Sequence, residues 1–347
     1  MKTIVMLSGG IDSSVSAYLL KDNDIIGVNI KTFDSPKVDD SCDTITKKCC
    51  TPKDTMDARE ICMHIGIPFN VIKMEDDFKK NVIDNFIDEY RNGRTPSPCV
   101  RCNTHVKIGL VHNKLSKMFG DIKIATGHYA KVIKVDNRYT IGRSSFADKD
   151  QSYFLWDLSQ DVIKDLIFPI SDLTKDEVRN IGRNAGLITA DKPESQDICF
   201  IPGDYRDFLK KYIDFTPGNF LLNDNIIGTH YGKENFTVGQ RKGLGVSWKK
   251  PLYVKKINPN GDIILTEDDG KGIYSIEINN LNLLSVDGLK DGDTFLIQTR
   301  LRSKLINAHW NNGKIIVDDY LQFVSPGQSL VAYDKTNSYI VFGGVII

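Results

Sequence analysis

Three cysteines hold most of the reactive chemistry in this sequence. Cys99 and Cys102 stand three apart in Thr95-Pro96-Ser97-Pro98-Cys99-Val100-Arg101-Cys102-Asn103, and Cys199 stands in Glu194-Ser195-Gln196-Asp197-Ile198-Cys199-Phe200-Ile201. A thiol beside an arginine and near a helix N-terminus has its thiolate favoured, and the thiolate is both the nucleophile and the metal ligand. The C-x-x-C spacing suits a redox pair, half of a zinc site, or part of an iron–sulfur site. Inert buried thiols are the plain alternative, and a Pro- and Arg-rich loop is a poor place to hide them. Cys199, between Ile198 and Phe200, fits a core position as well as a functional one.

The second chemical feature is Lys2-Thr3-Ile4-Val5-Met6-Leu7 followed by Ser8-Gly9-Gly10-Ile11-Asp12-Ser13-Ser14. An apolar run of strand type is cut by a Ser-Gly-Gly turn, and a helical pattern marked by Val15, Leu19 and Leu20 follows. Adjacent glycines let the backbone approach an anion, and the hydroxyls and N–H groups of the first helical turn point at it. This is a phosphate site without the Walker pattern G-x-x-x-x-G-K-[ST]. Asp12 either orients a Mg²⁺ or caps the helix.

The elements that position these residues alternate. Ile25–Ile30 reads as a strand, 54–65 as a helix with Met56, Ile61 and Ile65 on one face, and 68–72 as a strand. Helices follow over 78–90, through Phe78, Val82, Phe86 and Tyr90, and over 106–119, the prolines holding 95–103 extended until a helix begins near Thr104. A strand follows at 122–125, and Thr174 with Glu177 forms a capping box for a helix that stops at Gly186. Such alternation predicts an α/β fold with a doubly wound, mostly parallel sheet. Its ligands sit beyond the carboxyl ends of the strands, where Ser8-Gly9-Gly10 and Thr126-Gly127-His128 fall. After Tyr212 short strands separated by Asn260-Gly261, Asp287-Gly288, Asp291-Gly292, Asn312-Gly313 and Pro326-Gly327 predict β-rich structure. The division expected is a catalytic domain over 1–203, a small central β-rich domain over 204–270 and a C-terminal β-barrel domain over 271–347.

The 347 residues carry 45 Lys+Arg against 45 Asp+Glu, so any nucleic-acid surface must be local. Between 233 and 256, Lys233, Arg241, Lys242, Lys249, Lys250, Lys255 and Lys256 face one acid, Glu234, with Phe236, Trp248 and Tyr253 interleaved. That mixture suits phosphate contacts and occasional base stacking. No apolar run reaches membrane-spanning length and the start lacks a secretory layout, so a cytoplasmic chain with no membrane partner is expected. Cys42, Cys49, Cys50 and Cys62 form a separate group whose spacing is not that of a zinc knuckle.

Six stretches in order resemble the tRNA-specific 2-thiouridylases, within the N-type ATP pyrophosphatase superfamily. They are Met6–Ser14, Thr95–Asn103, Ala125-Thr126-Gly127-His128-Tyr129-Ala130, Asp148-Lys149-Asp150-Gln151-Ser152-Tyr153-Phe154-Leu155, Ser195–Phe200 and Phe236-Thr237-Val238-Gly239-Gln240-Arg241-Lys242-Gly243-Leu244-Gly245. The resemblance implies ATP-dependent 2-thiolation of the wobble uridine, position 34, in the tRNAs for Lys, Glu and Gln. It implies ATP contacts from Met6, Leu7, Ser8, Gly9, Gly10, Ile11, Asp12, Ser13, Ile30 and Gly127, with Mg²⁺ on the phosphates. It further implies tRNA contacts from Ser97, Pro98, Cys99, His128, Lys149, Asp150, Gln151, Arg300, Leu301 and Gln328. In the family's scheme Cys199 carries sulfur as a persulfide and Cys102 completes the transfer, ending in a disulfide with Cys199. The sulfur donor would be a persulfide carrier, a cysteine desulfurase relay or free sulfide.

This chain departs from the family at Cys99, where many members carry Asp. Cys99, Cys102 and Cys199 could then hold an iron–sulfur cluster in place of the persulfide route. Two other classes share some of these features: a small-molecule adenylating enzyme on the same loop, and a non-catalytic RNA-binding protein with a structural metal.

Overall fold

The computed structural model describes residues 1–32, 51–193, 198–201, 203–268, 275–319, 321 and 323–347. Cys42, Cys49, Cys50 and Glu194-Ser195-Gln196-Asp197 lie outside them. Two compact units emerge: Met1–Ile83 with Pro98–Gly203, and Asp84–Ser97 with Asp204–Ile347.

The first unit is built on a parallel sheet. Its strands are β1 (Lys2–Met6), β2 (Ile25–Lys31), β3 (Phe69–Lys73) and β4 (Ile122–Ala125); a separate hairpin, β5 (Ala130–Val135) with β6 (Arg138–Arg143), precedes the last strand, β7 (Leu166–Ile167). The order is β3-β2-β1-β4-β7, every pair parallel. Ile4 and Val5 are buried in succession, as a strand covered on both faces requires. The chain runs outward from β1 through β2 to β3, then returns to place β4 on β1's other side. That reversal opens a crevice at the carboxyl ends of β1 and β4, where such folds bind ligands.

Two helices carry the crevice walls. Helix α1 (Ile11–Leu20) buries Ile11 and Val15 with Ile61, Tyr129 and Val178, while Leu19, one of the apolar marks of the pattern, is 41% exposed. Helix α2 (Pro52–Ile65) begins at a Thr51–Asp54 capping box and ends at Gly66, φ +77°. Its buried face is Asp54, Ala58, Ile61 and Cys62, and Met56 is 62% exposed. At about 100° per residue Met56 lies roughly 200° from Ala58, so it could not share that face.

The expected helix over 78–90 is three pieces, Glu75–Phe78, a π turn Lys79–Ile83 and Asp84–Arg91, with all four apolar marks buried. The cysteine loop also differs from expectation. Helix begins at Pro98, whose missing N–H suits a first helical position, and runs to Cys102; a π turn over Asn103–Lys107 and a helix over Gly109–Phe119 continue it. A Cβ on Gly109 would lie 2.1 Å from the Thr104 carbonyl oxygen, so the tightened junction needs glycine there. The Thr174–Glu177 capping box forms as expected, starting the helix Lys175–Asn184.

The second unit holds two sheets with separate cores. In the first, β8 (Gly218–Leu222), β9 (Asn225–His230), β10 (Tyr253–Ile257) and β11 (Ile263–Thr266) take the order β10-β11-β8-β9 around Phe220, Val254 and Ile263. The second has seven strands: β12 (Ser275–Ile276), β13 (Ile278–Leu283), β14 (Thr294–Gln298), β15 (Ile306–Asn311), β16 (Lys314–Val317), β17 (Ser329–Tyr333) and β18 (Ile340–Ile346). Their order is β12-β16-β15-β14-β17-β18-β13, around Phe295, Ala308 and Phe342. Its end strands β12 and β13 are separated in sequence by Glu277 alone, so the sheet curls around its core. Asn312-Gly313 turns β15 into β16 with φ +48° and +79°, the left-handed pair a two-residue hairpin requires.

Candidate active site

A cleft of about 320 Å³ opens at the crevice of the parallel sheet, lined on one side by Ser8–Ser13 and on another by Thr126-Gly127-His128. Glycine is obligatory at two points. Gly9 has φ +73°, and a Cβ there would lie 2.4 Å from the Asp54 carbonyl oxygen; at Gly127 a Cβ would come within 2.7 Å of Asp12 C and Ser13 N. Both turns therefore press against helical backbone with no room for a side chain.

The loop is stapled from within. Ser8 N–H donates to Ser13 Oγ at 3.2 Å, while Ser13 and Ser14 hydroxyls each donate to Gly10 O at 3.0 Å. Gly10 caps α1 with no side-chain hydrogen bond, so the N–H groups of the first turn remain for an anion. Met6, Leu7 and Ile30 add an apolar wall. Behind it the buried Asn29 amide donates to Leu7 O at 2.7 Å and accepts from Thr55 Oγ1 at 2.9 Å.

Asp12 does not cap its helix. Its Oδ1 accepts from Lys175 Nζ at 2.7 Å and from the Tyr129 hydroxyl at 3.1 Å. Neither bond uses Oδ2. Lys192 donates to Gly9 O at 2.8 Å, Asp54 Oδ1 at 2.7 Å and Asp57 Oδ2 at 2.6 Å. Burial opposes its charge, but the two carboxylates outweigh burial and hold the ammonium above the ordinary lysine range.

The residues beyond β4 are closely engaged. Thr126 Oγ1 and His128 Nδ1 are 2.9 Å apart, and burial, with the Lys107 charge, pushes His128 down to about 4, so it is neutral near pH 7. Gln151 lines the cleft and its Oε1 accepts from Tyr129 N–H at 3.0 Å. The buried Asp150 carboxylate accepts from Arg143 Nε at 3.0 Å, Ser144 N–H at 2.9 Å and Ser152 Oγ at 2.7 Å. It is engaged within the fold; Lys149 beside it is half-buried.

The cysteines differ in access. Cys99 is exposed, Cys102 is buried and Cys199 is half-buried. Arg101 Nε donates to Asn81 O at 2.9 Å, fixing the positive charge on the cysteine helix. Nearby, burial pushes Asp157 up to about 6 and His105 below its ordinary value, Arg101 adding to the latter; the two side chains lie 3.8 Å apart. Among the described residues no three His, Cys, Asp or Glu side chains gather as a metal site, Cys99, Cys102 and Cys199 included. Cys62 is core: burial pushes its thiol up to about 12, and a Cβ on Gly27 would lie 2.3 Å from its sulfur.

In the second unit Gln328 Nε2 donates to the carbonyls of Thr95 and Pro96 at 3.0 and 2.8 Å, and Ser329 N–H donates to Ser97 Oγ at 3.3 Å. Gln328 thus holds the segment that leads to Pro98. Arg300 donates to Val238 O at 3.2 Å and to Ser325 Oγ, and Leu301 is 37% exposed. The basic stretch is smaller than its composition suggests. Lys233 is buried with Nζ on Pro259 O, Glu234 is buried and accepts from Thr216 N–H, and Phe236 is core. Trp248 Nε1 and Lys250 Nζ both donate to Glu267. Lys255 and Lys256 are adjacent yet both exposed, because a bulge between Val254 and Lys256 shifts the β10 register.

Sequence reasoning missed Asn29, Asp54, Lys107 and Lys192, all part of the cleft. Asp54 was readable as a helix start through the Thr51 capping box. Lys192 had no local signal, because its partners lie 135 to 183 residues away.

The parallel sheet and its Ser-Gly-Gly cleft place the first unit in a recognised domain class: residues 1–203 match the family model described as tRNA methyl transferase HUP domain, and 206–266 the one described as tRNA methyl transferase PRC-barrel domain. A tRNA-specific 2-thiouridylase of Leptospira interrogans is 45% identical over 359 residues, covering 99% of this chain and 94% of the relative. Those of Clostridioides difficile and Acetivibrio thermocellus are 37% and 38% identical, each covering 99% of this chain and 98% and 99% of their own lengths. The chain belongs to the tRNA-specific 2-thiouridylase family. Among the described residues no helix is long and apolar enough to cross a membrane.

Proposed function

We propose that this chain uses ATP to replace the C2 oxygen of the wobble uridine, position 34 of tRNA, with sulfur. The observation that carries the reading is the cleft itself. A glycine-shaped anion turn and the helix bearing Cys102 belong to one unit, and Lys107 and Ile108, which follow that helix, line the cleft. The uridine C2 oxygen attacks the α-phosphorus of ATP, forming the adenylated base, and pyrophosphate leaves toward Ser8–Ser14. Met6, Leu7, Ile30 and Gly127 would enclose the nucleotide, and Gly10, Ile11 and Ser13 would present N–H groups to its phosphates. When bound, Mg²⁺ would neutralise charge on the departing pyrophosphate, with Asp12 as its protein contact.

A persulfide on Cys199 then attacks C2 through its terminal sulfur and AMP leaves. The Cys102 thiolate attacks Cys199 Sγ, the thiocarbonyl of 2-thiouridine is released, and a Cys102–Cys199 disulfide remains. The incoming sulfur is thereby reduced and the two thiols are oxidised, so a reducing thiol must reset the pair. We assign no cluster to Cys99, Cys102 and Cys199. In this reading exposed Cys99, with Ser97 and Pro98, would meet the target base, and His128, Lys149, Gln151, Arg300 and Leu301 are the further tRNA contacts. Asp150 and Gln328 would act chiefly by holding their neighbours.

The tRNAs for Lys, Glu and Gln are the proposed substrates, with a persulfide carrier or desulfurase relay as donor. The separate cores of the two β sheets support a three-part division at 1–203, 204–270 and 271–347. The test is tRNA-dependent formation of AMP, pyrophosphate and 2-thiouridine, with iron and labile sulfide measured on protein purified without oxygen. Turnover that needs a small molecule in place of tRNA would sink the reading, and stoichiometric iron would return the cluster.

A further inference from the structure

The Lys192 ammonium in the cleft is held by three oxygens from two parts of the fold, the Ser-Gly-Gly turn and helix α2. Its acceptors are the Gly9 carbonyl at 2.8 Å, Asp54 Oδ1 at 2.7 Å and Asp57 Oδ2 at 2.6 Å, one for each of its N–H donors. Asp54 divides its carboxylate: Oδ2 accepts from Thr51 N–H at 2.8 Å and caps α2, while Oδ1 faces Lys192. The Asp54 carbonyl is also the atom that a Cβ on Gly9 would meet at 2.4 Å. The turn therefore lies flat on the first turn of α2, and Lys192 ties the two together.

The tie has a directional consequence. The Gly9–Gly10 peptide is trans, so its C=O and N–H point to opposite sides of one plane. Fixing the Gly9 carbonyl on Lys192 fixes the direction of the Gly10 N–H away from Lys192. Because both residues flanking this plane are glycines, ψ of Gly9 and φ of Gly10 could otherwise turn it at little steric cost. We propose that Lys192 is a positioning residue for the leaving group: it locks the Gly9–Gly10 peptide so that Gly10 N–H is presented to the pyrophosphate portion of ATP. The inference rests on the reading that pyrophosphate occupies Ser8–Ser14.

The test measures binding to the full chain by titration calorimetry, using AMP and the α,β-methylene analogue of ATP, which cannot be cleaved. AMP lacks the β- and γ-phosphates, so it reports on the rest of the site. Lys192→Met is expected to weaken the analogue about tenfold to a hundredfold, the worth of one hydrogen bond to a charged group, and to leave AMP within about twofold. Lys192→Arg keeps the charge, but a planar guanidinium cannot place donors on one carbonyl and two carboxylates as an ammonium does, so it should recover only part of the loss. If Lys192→Met loses stability because two carboxylates lack their counter-charge, Lys192→Met with Asp57→Asn removes one of them and is read the same way. Equal weakening of both ligands, no weakening, or full recovery with arginine would overturn the proposal. If the unaltered chain binds the analogue no better than AMP, the pyrophosphate site itself is wrong.

Discussion

The phosphate cleft and the basic stretch between 233 and 256 are both shaped by glycines in the left-handed region, Gly9 in one and Gly239, Gly243 and Gly245 in the other. They use charge in different ways. In the cleft Lys192 is held by three oxygens and Asp12 by Lys175 and Tyr129. In the stretch Lys233 and Glu234 are absorbed into the fold, while Arg241, Lys242, Lys249, Lys250, Lys255 and Lys256 are exposed. Fixed donors suit a small anion that must sit in one place, because no reorganisation is needed when charge develops. Solvated lysines suit a polyanion, which they attract by summed charge and counterion release.

Four experiments would break or sharpen this contrast. The largest effect belongs to chemistry downstream of both regions: Cys199→Ala should abolish thiolation yet bind tRNA with near-native affinity. Substantial 2-thiouridine in the product would remove Cys199 from the mechanism. Next, Gly9→Val should cut tRNA-dependent pyrophosphate release by about a hundredfold or more, since misplacing a catalytic group by about 1 Å has that effect. The contact behind it is with backbone 2.4 Å away, which no rotamer relieves. Near-native release would show the turn to be compliant.

Charge reversal in the other region should act more gently. Lys249→Glu with Lys250→Glu is expected to weaken tRNA binding and reduce the slope of log affinity against log salt by about 1 to 2. An unchanged slope would remove this face from the RNA interface. The smallest effect concerns pH. His128 stands at about 4 folded against an ordinary 6.5, so the folded chain binds fewer protons than the unfolded one. Its contribution is full above pH 6.5 and lost as pH falls toward 4, by at most about 3 kcal/mol. Denaturant titrations at pH 7 and 4.5 should show a smaller acid loss for His128→Asn than for the unaltered chain.

Some of the site was legible because its parts are local. Ser8-Gly9-Gly10 lies within one strand–turn–helix unit, so hydroxyl spacing and glycine type could be read directly. The cysteine segment was read less well. Two prolines suggested extended chain up to Thr104, but Pro98 starts the helix and Gly109 admits a π turn. Composition alone overcounted the basic stretch, because it cannot tell a lysine that reaches a carbonyl inside from one that faces water.

By itself the sequence determined the alternation of strands and helices, the anion turn, the order of the family motifs and the positions of the reactive thiols. These depend on residue type and on neighbours a few positions away. Tertiary structure alone decided that Gly127 presses on the first turn of α1, that Gln328 braces the segment before Pro98, and that Lys192 grips Gly9. Each of those contacts joins residues distant in the chain, and only the closed sheet brings them within a few ångströms. The same closure separates the exposed Cys99 from the buried Cys102, a difference that their three-residue spacing did not announce.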